Sequence, residues 1–325
     1  MYWHVKAFFA LIVLSVLGGG GYLGWKAFGD KFTSTDIVAE SPNSEDDSGK
    51  HNSQANPEVK VSIAKSFNDN DLLPDRYQNK LSLALRKLDK SSHDYQPTKA
   101  VEILRNMLKD PKLVKYSKSW ERIVKVLGKA NTQVLFSDMP SELKEEYVVR
   151  PGDSLNKIAT KLGVNSDLLK RINNNNTTIF PKQVFRVHVG SWNLRVSKKH
   201  LLMTLYDGDD IFKVYEVGLG KENRTPIGNF YVQNKAKNPS WYDKSSGRQY
   251  AFGDPQNPLG TRWMSLKATG QTARNRILLG YGIHGTADPN SIRKYSSRGC
   301  MRMFNEDVEE LYDIIKTGTP LIIEE

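Results

Sequence analysis

The spacing of hydrophobic residues changes along this chain of 325 residues, and the change limits the folds it can adopt. Between residues 70 and 136 apolar residues recur every three or four positions, which is typical of amphipathic helices. Further along, β-prone runs at 201–206 and 211–217 flank an Asp207-Gly208 turn signal. Helical spacing returns at residues 307–315. The chain is therefore predicted to be multi-domain, with an all-α part followed by a mostly-β domain that has a C-terminal helix.

Residues 1–32 are predicted to form a membrane anchor or an export signal. Positions 7–25 carry no charged side chain, and a helix of that length spans about 28 Å, close to the thickness of a bilayer core. Because no small-x-small cleavage site follows, a retained single-pass anchor in the inner membrane is favoured over a cleaved signal, which would leave the protein secreted. Residues 33–66 are rich in Ser, Asn, Asp and Glu and predict a flexible linker. The expected location is the cell envelope, with the remaining domains periplasmic or otherwise extracytoplasmic.

Residues 67–140 predict a helical spacer of three amphipathic helices. The apolar residues at helical spacing are Tyr77, Leu81, Leu85 and Leu88, then Val101, Leu104, Met107 and Leu108, then Trp120, Ile123, Val124 and Leu127. Gln96-Pro97-Thr98 marks the start of the second helix, and Pro111 marks a break after it. One helix pair of this length resembles a single degenerate tetratricopeptide-like unit. A protein partner at the spacer is therefore an alternative to a purely structural role.

The formal net charge of +11 raises the question of an acidic partner. The excess of Lys and Arg is spread along the chain rather than gathered in a basic stripe with interleaved aromatic residues, so we expect no nucleic-acid partner. Five of the six histidines form no ligand spacing with one another, so we expect neither a metal site nor a cofactor. These five are His4, His51, His93, His188 and His200.

Residues 145–190 predict a compact βααβ module. A short strand leads into a turn at Pro151-Gly152-Asp153, after which Asp153 or Ser154 can cap the first helix. An Asn-rich turn at residues 173–176 separates the second helix from the last strand. The pattern of strand, two helices and strand is complete within about forty residues.

This module resembles the LysM family. The residues that match are Tyr147, Val149, Gly152, Asp153, Ser154, Leu155, Ile158, Ala159, Leu168, Asn173, Ile179 and Gln183. One departure is Lys182, where the family usually has glycine. LysM modules bind the N-acetylglucosamine of peptidoglycan or chitin, so the resemblance implies glycan binding by Gly152, Asp153, Ser154 and Asn173. A structural module that has lost its ligand is the alternative.

The chain contains a single cysteine, Cys300, which lies sixteen residues after His284. A thiol has an ordinary pKa of about 8.5 and becomes a strong nucleophile when an imidazole within hydrogen-bond reach takes its proton. His284 can take that proton if the loop at 285–296 folds back. Glycine before the cysteine lets backbone N–H groups converge on an oxyanion without a Cβ in the way. From these residues alone, an inert buried cysteine remains the alternative.

Residues 193–325 resemble the L,D-transpeptidase catalytic domain of the YkuD type. The matching motifs, in order, are Thr225-Pro226-x-Gly228-x-Phe230, Asn257-Pro258-Leu259-Gly260, His284-Gly285-Thr286 and Ser297-Arg298-Gly299-Cys300-Met301-Arg302. Many members have histidine in place of Arg298, and some have asparagine in place of Arg302. These departures concern the contacts to stem peptides and not the nucleophile.

The resemblance implies a peptidoglycan L,D-transpeptidase. Cys300 would attack the carbonyl between the third residue of a tetrapeptide stem and its terminal D-alanine. His284 would act as general base and then acid, with its ring oriented by the Gly285 carbonyl, and the N–H groups of Gly299 and Cys300 would form the oxyanion hole. Transfer to an amine of a neighbouring stem would give a 3→3 cross-link, whereas transfer to water would make the enzyme a carboxypeptidase.

Three further side chains near the cysteine are expected to contact substrate. Ser297 is a candidate for turn or substrate contacts, and Arg298 for substrate binding. Arg302 is a candidate for binding a stem carboxylate, with a salt bridge to an acid of the final helix such as Asp307 as the alternative.

A catalytically silent wall-binding scaffold is the alternative from another functional class, and for such a protein Cys300→Ala would leave function intact. The enzymatic reading implies a role in cell wall biogenesis and cell shape.

Overall fold

The computed structural model describes residues 73–137, 139–188, 190–275 and 280–325. The predicted anchor at 1–32 and linker at 33–66 lie outside these residues. Within the described ranges, no helix combines the length and apolar character that a membrane crossing requires. All described residues belong to one compact unit, Ile63–Glu325.

Three helices form the helical unit, residues 73–137, which consists of α1 (Asp75–Leu88), α2 (Pro97–Leu108) and α3 (Lys118–Leu135). As predicted, α2 begins at Pro97, where the missing proline N–H leaves no hydrogen bond unmade. The buried face of α1 consists of Tyr77, Leu81, Ala84 and Leu88. The assignment of Leu85 to this face was wrong, since Leu85 is 36% exposed and Ala84 takes the buried position one residue earlier.

The βααβ module, residues 144–188, has the predicted element order. It consists of β1 (Lys144–Val148), α4 (Leu155–Leu162), α5 (Ser166–Ile172) and β2 (Val184–His188). The two strands pair antiparallel, with Tyr147 opposite Phe185. Six buried residues form its own small core, namely Val149, Ile158, Ala159, Leu169, Phe185 and Val187.

The sheet domain, residues 192–324, holds the remaining elements. In chain order they are β3 (Trp192–Ser197), β4 (Leu202–Asp207), β5 (Asp210–Glu216), β6 (Leu219–Gly220), β7 (Gly228–Lys237), β8 (Trp241–Asp243), β9 (Arg248–Tyr250), β10 (Arg262–Ala268), α6 (Gly270–Asn275), β11 (Gly282–His284), β12 (Tyr295–Ser297), β13 (Met301–Arg302), α7 (Asn305–Ile314) and β14 (Pro320–Glu324). Eight strands form one sheet in the order β13-β11-β10-β7-β14-β3-β4-β5. The predicted C-terminal helix is α7, which buries Val308, Leu311 and Ile314 in the main core.

The helical unit packs directly on the sheet domain at its β5 edge. Trp120 and Val124 of α3 form a buried cluster with Leu202 and Val214. Beside this cluster, the side-chain Nδ2 of the fully buried Asn131 donates to the Phe212 carbonyl at 2.8 Å. Strand β5 is at the edge of the sheet, and α3 covers it. The helical unit therefore shields an edge strand that would otherwise expose unpaired backbone groups, in addition to acting as a spacer.

The βααβ module is joined to the sheet domain through the side chain of Asn165. Its Oδ1 accepts from the Asp167 N–H at the start of α5. Its Nδ2 lies 3.0, 2.7 and 2.8 Å from the carbonyl oxygens of Tyr312, Asp313 and Ile315 at the end of α7. One side chain thus satisfies free backbone groups at the ends of two helices that belong to different modules.

Candidate active site

Cys300 and His284 come together because β11 and β13 are parallel neighbours at one edge of the sheet. Ile283 lies opposite Met301, and His284 lies opposite Arg302. By the same register Cys300 lies opposite Gly282, so that the side chains of Cys300, His284 and Arg302 project from one face. From the usual strand spacing and rise, the Cα atoms of Cys300 and His284 are about 8 Å apart. The thiol and the imidazole therefore lie on the same face of neighbouring strands, close enough for a proton to pass between them.

The turn before Cys300 is held by hydroxyl groups. Ser297 Oγ donates to the Cys300 carbonyl at 2.6 Å and accepts from the Gly299 N–H at 3.0 Å. Thr225 Oγ1 donates to the Gly299 carbonyl at 2.9 Å. Ser297 therefore serves the turn, the first of the two roles considered for it.

Glycine is required at position 299 by its backbone and its neighbours. Its φ of 135° lies in a region that side chains disfavour, and a Cβ there would lie 2.7 Å from Cε1 of Tyr281. The predicted oxyanion role of its N–H is not compatible with this conformation, because that N–H already donates to Ser297. The Cys300 N–H makes no hydrogen bond within the described part of the chain and is free to donate to a ligand.

His284 is buried and held in one tautomer. Its Nδ1 lies 2.6 Å from the Gly285 carbonyl oxygen, the contact that the motif led us to expect. Because a carbonyl oxygen can only accept, Nδ1 carries the proton and Nε2 keeps its lone pair. Burial lowers the pKa of His284 to about 4; the Gly285 carbonyl opposes this shift, and the positive charge of Arg302 adds to it. The ring is therefore neutral at pH 7 and can accept a proton at Nε2.

The Cys300 thiol is half-buried and protonated at rest. Burial raises its pKa, and the opposing effects of the Gly282 backbone and of Arg302 are smaller. Sγ donates to the Gly280 carbonyl oxygen at 3.4 Å. Among the described residues no hydrogen bond joins this thiol to His284, so the resting pair is a neutral thiol beside a neutral imidazole rather than an ion pair.

Arg298 and Arg302 lie on either side of the cysteine and differ in exposure. The Arg298 side chain is 78% exposed, and its Nη1 lies 3.9 Å from Oδ1 of Asp243 in β8. Arg302 Nη1 donates to Ser296 Oγ at 3.3 Å, while its Nε is buried without a hydrogen-bond partner in the described structure. The alternative salt bridge from Arg302 to Asp307 does not form, because Asp307 lies 3.9 Å from Lys213 Nζ instead. Ser296 is thus the side-chain partner that the structure gives to Arg302.

The four residues predicted to bind glycan lie in the βααβ module, and three of their side chains already have partners there. Asp153 Oδ2 accepts from the Tyr147 hydroxyl and the Arg150 N–H, both at 2.8 Å. Ser154 caps α4. Asn173 Nδ2 donates to the Leu169 and Arg186 carbonyls, and its Oδ1 accepts from the Arg186 N–H. The turn at Gly152 has space for a side chain, because apart from its chain neighbours no atom lies within 4 Å of where its Cβ would be. Its carbonyl accepts from Lys157 Nζ at 2.9 Å.

Residues that the motifs did not single out complete the surroundings of the thiol and the imidazole. Trp263 of β10 lies with its ring centroid 5.8 Å from that of His284, and a Cβ on Gly282 would lie 2.5 Å from the Trp263 ring. Asn305, at the start of α7, bonds to the backbone just after His284. No group of three or more His, Cys, Asp or Glu residues suited to a metal occurs among the described residues.

We expect the buried neutral imidazole to make the protein sensitive to acid. The folded pKa of about 4 lies below the unfolded value of 6.5, so the unfolded chain binds the proton first and stability falls as pH drops through that window. The loss is about 3 kcal/mol. Equilibrium denaturation at pH 7 and pH 4 should show this loss in the native chain but not in His284→Gln. The comparison with the variant is needed because burial raises the pKa of Asp307 to about 6, which acts in the opposite direction.

Equal losses of stability in the native chain and in His284→Gln would contradict this expectation. His188→Gln removes another buried imidazole, one paired with Asp207 at 3.0 Å, and serves as the matched control. The control should lose stability on acidification like the native chain, because it retains His284.

Two segments of the chain match known families. Residues 193–323 match the L,D-transpeptidase catalytic domain, YkuD, and residues 147–188 match the LysM domain. The helical unit lies outside both matches.

Similar proteins include two from Bacillus subtilis (strain 168) whose names place them among the L,D-transpeptidases. YqjB is 41% identical over 111 residues, which cover 34% of this chain and 58% of YqjB. YkuD is 30% identical over 185 residues, which cover 54% of this chain and 97% of YkuD. A solved L,D-transpeptidase structure from Mycobacterium tuberculosis H37Rv is 15% identical, with a TM-score of 0.33 over 46% of this chain and 75% of that one.

Proposed function

Since this chain belongs to the L,D-transpeptidase family, we propose that it is a cysteine-dependent acyltransferase acting on peptidoglycan stem peptides. The observation that carries the proposal is the parallel pairing of β11 and β13, which puts the Cys300 thiol and a neutral His284 on one face. The tautomer adds support, because Nδ1 is occupied by the Gly285 carbonyl and Nε2 is left to accept a proton.

In the first half-reaction, the thiol leaves the Gly280 carbonyl, and His284 Nε2 takes its proton as Sγ attacks the carbonyl carbon before the terminal D-alanine. The Cys300 N–H donates to the oxyanion that forms. The C–N bond then breaks, and His284 returns the proton to the leaving amine of D-alanine. The product is a thioester between Cys300 and the third stem residue. A neutral thiol and imidazole can do this because the proton moves during the attack.

In the second half-reaction, an amine of a neighbouring stem attacks the thioester. His284 accepts the amine proton and passes it to the departing thiolate, which restores the starting pair. An amide bond replaces the thioester, so a 3→3 cross-link forms. If water takes the place of the amine, the product is a tripeptide stem and the enzyme is a carboxypeptidase. We propose that Arg302, whose side chain projects from the same face as Cys300 and bonds to Ser296 through one Nη, receives a stem carboxylate.

The remaining parts of the chain fit an enzyme of the cell envelope. We propose that the βααβ module holds the glycan through the turn at Gly152, and that the N-terminal segment at residues 7–25 keeps the enzyme at the membrane. A protein partner at the helical unit would have to bind a face other than that of Trp120 and Val124, which the sheet domain covers.

Purified full-length protein mixed with a disaccharide-tetrapeptide tests the proposal. We expect release of D-alanine, an acyl adduct on Cys300 by intact-protein mass spectrometry, and cross-linked dimers by chromatography. Tripeptide products without dimers would identify the carboxypeptidase. Absence of both the adduct and free D-alanine would leave only the wall-binding scaffold.

A further inference from the structure

Asn305, the first residue of α7, binds the backbone of the segment that follows His284. Its Nδ2 donates to the Thr286 carbonyl at 3.0 Å, and its Oδ1 accepts from the Thr286 N–H at 3.1 Å. The side-chain amide therefore exchanges two hydrogen bonds with one residue, as a neighbouring β-strand would. Oδ1 also lies 3.4 Å from the Thr261 nitrogen, which brings the segment after Gly260 to the same point.

Two glycines from the sequence motifs make this contact sterically feasible. A Cβ on Gly285 would lie 2.2 Å from Asn305 Oδ1, and a Cβ on Gly260 would lie 2.3 Å from the same atom. Gly260 also has a φ of 63°, which side chains disfavour. The close approach of Asn305 thus gives a physical reason for glycine in the Asn257–Gly260 motif as well as in the His284-Gly285 pair.

The hydrogen bonds of Asn305 act on the peptide group that orients the catalytic imidazole. The Thr286 N–H and the Gly285 C=O belong to the same planar trans peptide, so they point in opposite directions along it. One end of that peptide donates to Asn305 Oδ1 at 3.1 Å, and the other accepts from His284 Nδ1 at 2.6 Å. Fixing the N–H fixes the direction of the C=O, and hydrogen bonds in such a chain strengthen one another.

We infer that Asn305 is a positioning residue for His284. It holds the Gly285–Thr286 peptide so that its carbonyl keeps the proton on Nδ1 and the lone pair on Nε2. The other hydrogen bonds near this peptide do not replace it, since the Gly285 N–H donates to the Arg262 carbonyl and the Met303 N–H to the His284 carbonyl. The importance of this role for catalysis rests on the proposed function, whereas the effect on the imidazole does not.

The imidazole tautomer can be read directly in full-length protein labelled with ¹⁵N-histidine. The His284 signal is identified as the one that His284→Gln removes. In the native chain we expect a protonated Nδ1 and an unprotonated Nε2. In Asn305→Ala the Gly285 carbonyl is no longer held, so we expect a mixture of the two tautomers. Asn305→Asp keeps an acceptor for the Thr286 N–H and should retain more of the native tautomer than the alanine variant does.

Catalysis gives the second readout. With the tetrapeptide substrate, we expect Asn305→Ala to lower the first-order acylation rate by about 10- to 100-fold, because a misdirected base loses its near-attack geometry. The substrate concentration at half-maximal rate should change little, since Asn305 contacts the backbone after His284 and not the thiol side of the site.

Asn131→Ala is the matched control. Asn131 also donates its side-chain amide to a backbone carbonyl, but it does so at β5, at the opposite edge of the sheet from β13. It should lower stability without changing the His284 tautomer or the acylation rate. The inference is overturned if folded Asn305→Ala keeps the native tautomer and rate, or if Asn131→Ala alters them equally. If Asn305→Ala fails to fold, Asn305→Asp is compared with the native chain instead. Loss of the Nδ2 donor to the Thr286 carbonyl should then give a detectable fraction of the other tautomer, and a fully native tautomer and acylation rate would overturn the inference. A native chain that never acylates would refute the proposed function and leave the tautomer test standing.

Discussion

Cys300→Ser should abolish acyl-enzyme formation, with a fall in the rate of D-alanine release on the order of 10⁴- to 10⁶-fold. Serine keeps nearly the same volume in a half-buried site. Its hydroxyl, however, is a much weaker nucleophile than a thiol, and His284, the base beside it, has a pKa lowered to about 4. The large loss therefore reflects chemistry and not a change of fold.

Single-turnover kinetics and intact-protein mass spectrometry measure this loss. The chain has no second cysteine to serve as a matched variant, so the control is the variant itself: its melting temperature and its retention on insoluble peptidoglycan should equal those of the native chain. A serine variant that still releases D-alanine at the native rate would exclude Cys300 as the nucleophile.

His284→Gln should reduce the acylation rate at pH 7 by about 10²- to 10⁴-fold. Glutamine can still donate toward the Gly285 carbonyl but cannot accept the thiol proton. The native rate should be nearly independent of pH between about 5 and 8 and should fall below pH 4, where the imidazole becomes protonated. In the variant the thiol must ionise unaided, so its rate should rise about tenfold per pH unit until the raised pKa of Cys300 is reached.

Acylation rates at several pH values distinguish these profiles. His188→Gln again serves as the control, because His188 is buried against Asp207 and Trp192, and it should follow the native profile. A pH-independent rate in His284→Gln would show that another group takes the proton.

The sequence predicted the parts of the site that follow from local spacing. His284 ends β11 and Cys300 directly precedes β13, and the bond from His284 to the Gly285 carbonyl joins adjacent residues. Both features could therefore be predicted from the motifs. The hydrogen bond from the Gly299 N–H to Ser297 could not be predicted in this way. The same residues at the same spacing are compatible either with an oxyanion hole or with a turn held by the serine hydroxyl.

Contacts between distant segments were beyond the reach of sequence patterns. Asn305 bonds to Thr286 nineteen residues earlier, and Asn131 bonds to Phe212 eighty-one residues later. Neither asparagine stands out in the chain, since a polar residue at the start of a helix or within it has many other uses. Likewise, the side chains of Asp153 and Asn173 match a glycan-binding family, yet their partners lie within their own module.

Helix α7 has a different asparagine at each of its ends. Asn305 begins it beside the backbone that follows His284, and Asn165 of the βααβ module bonds to carbonyl groups at its other end. A helix of ten residues is about 15 Å long and stiff. If the module binds glycan and Cys300 attacks stems as proposed, a bound sugar chain would lie at a constant distance from the thiol. The repeat distance of the polymer, and not only the sequence of the stem, would then decide which stems are cut.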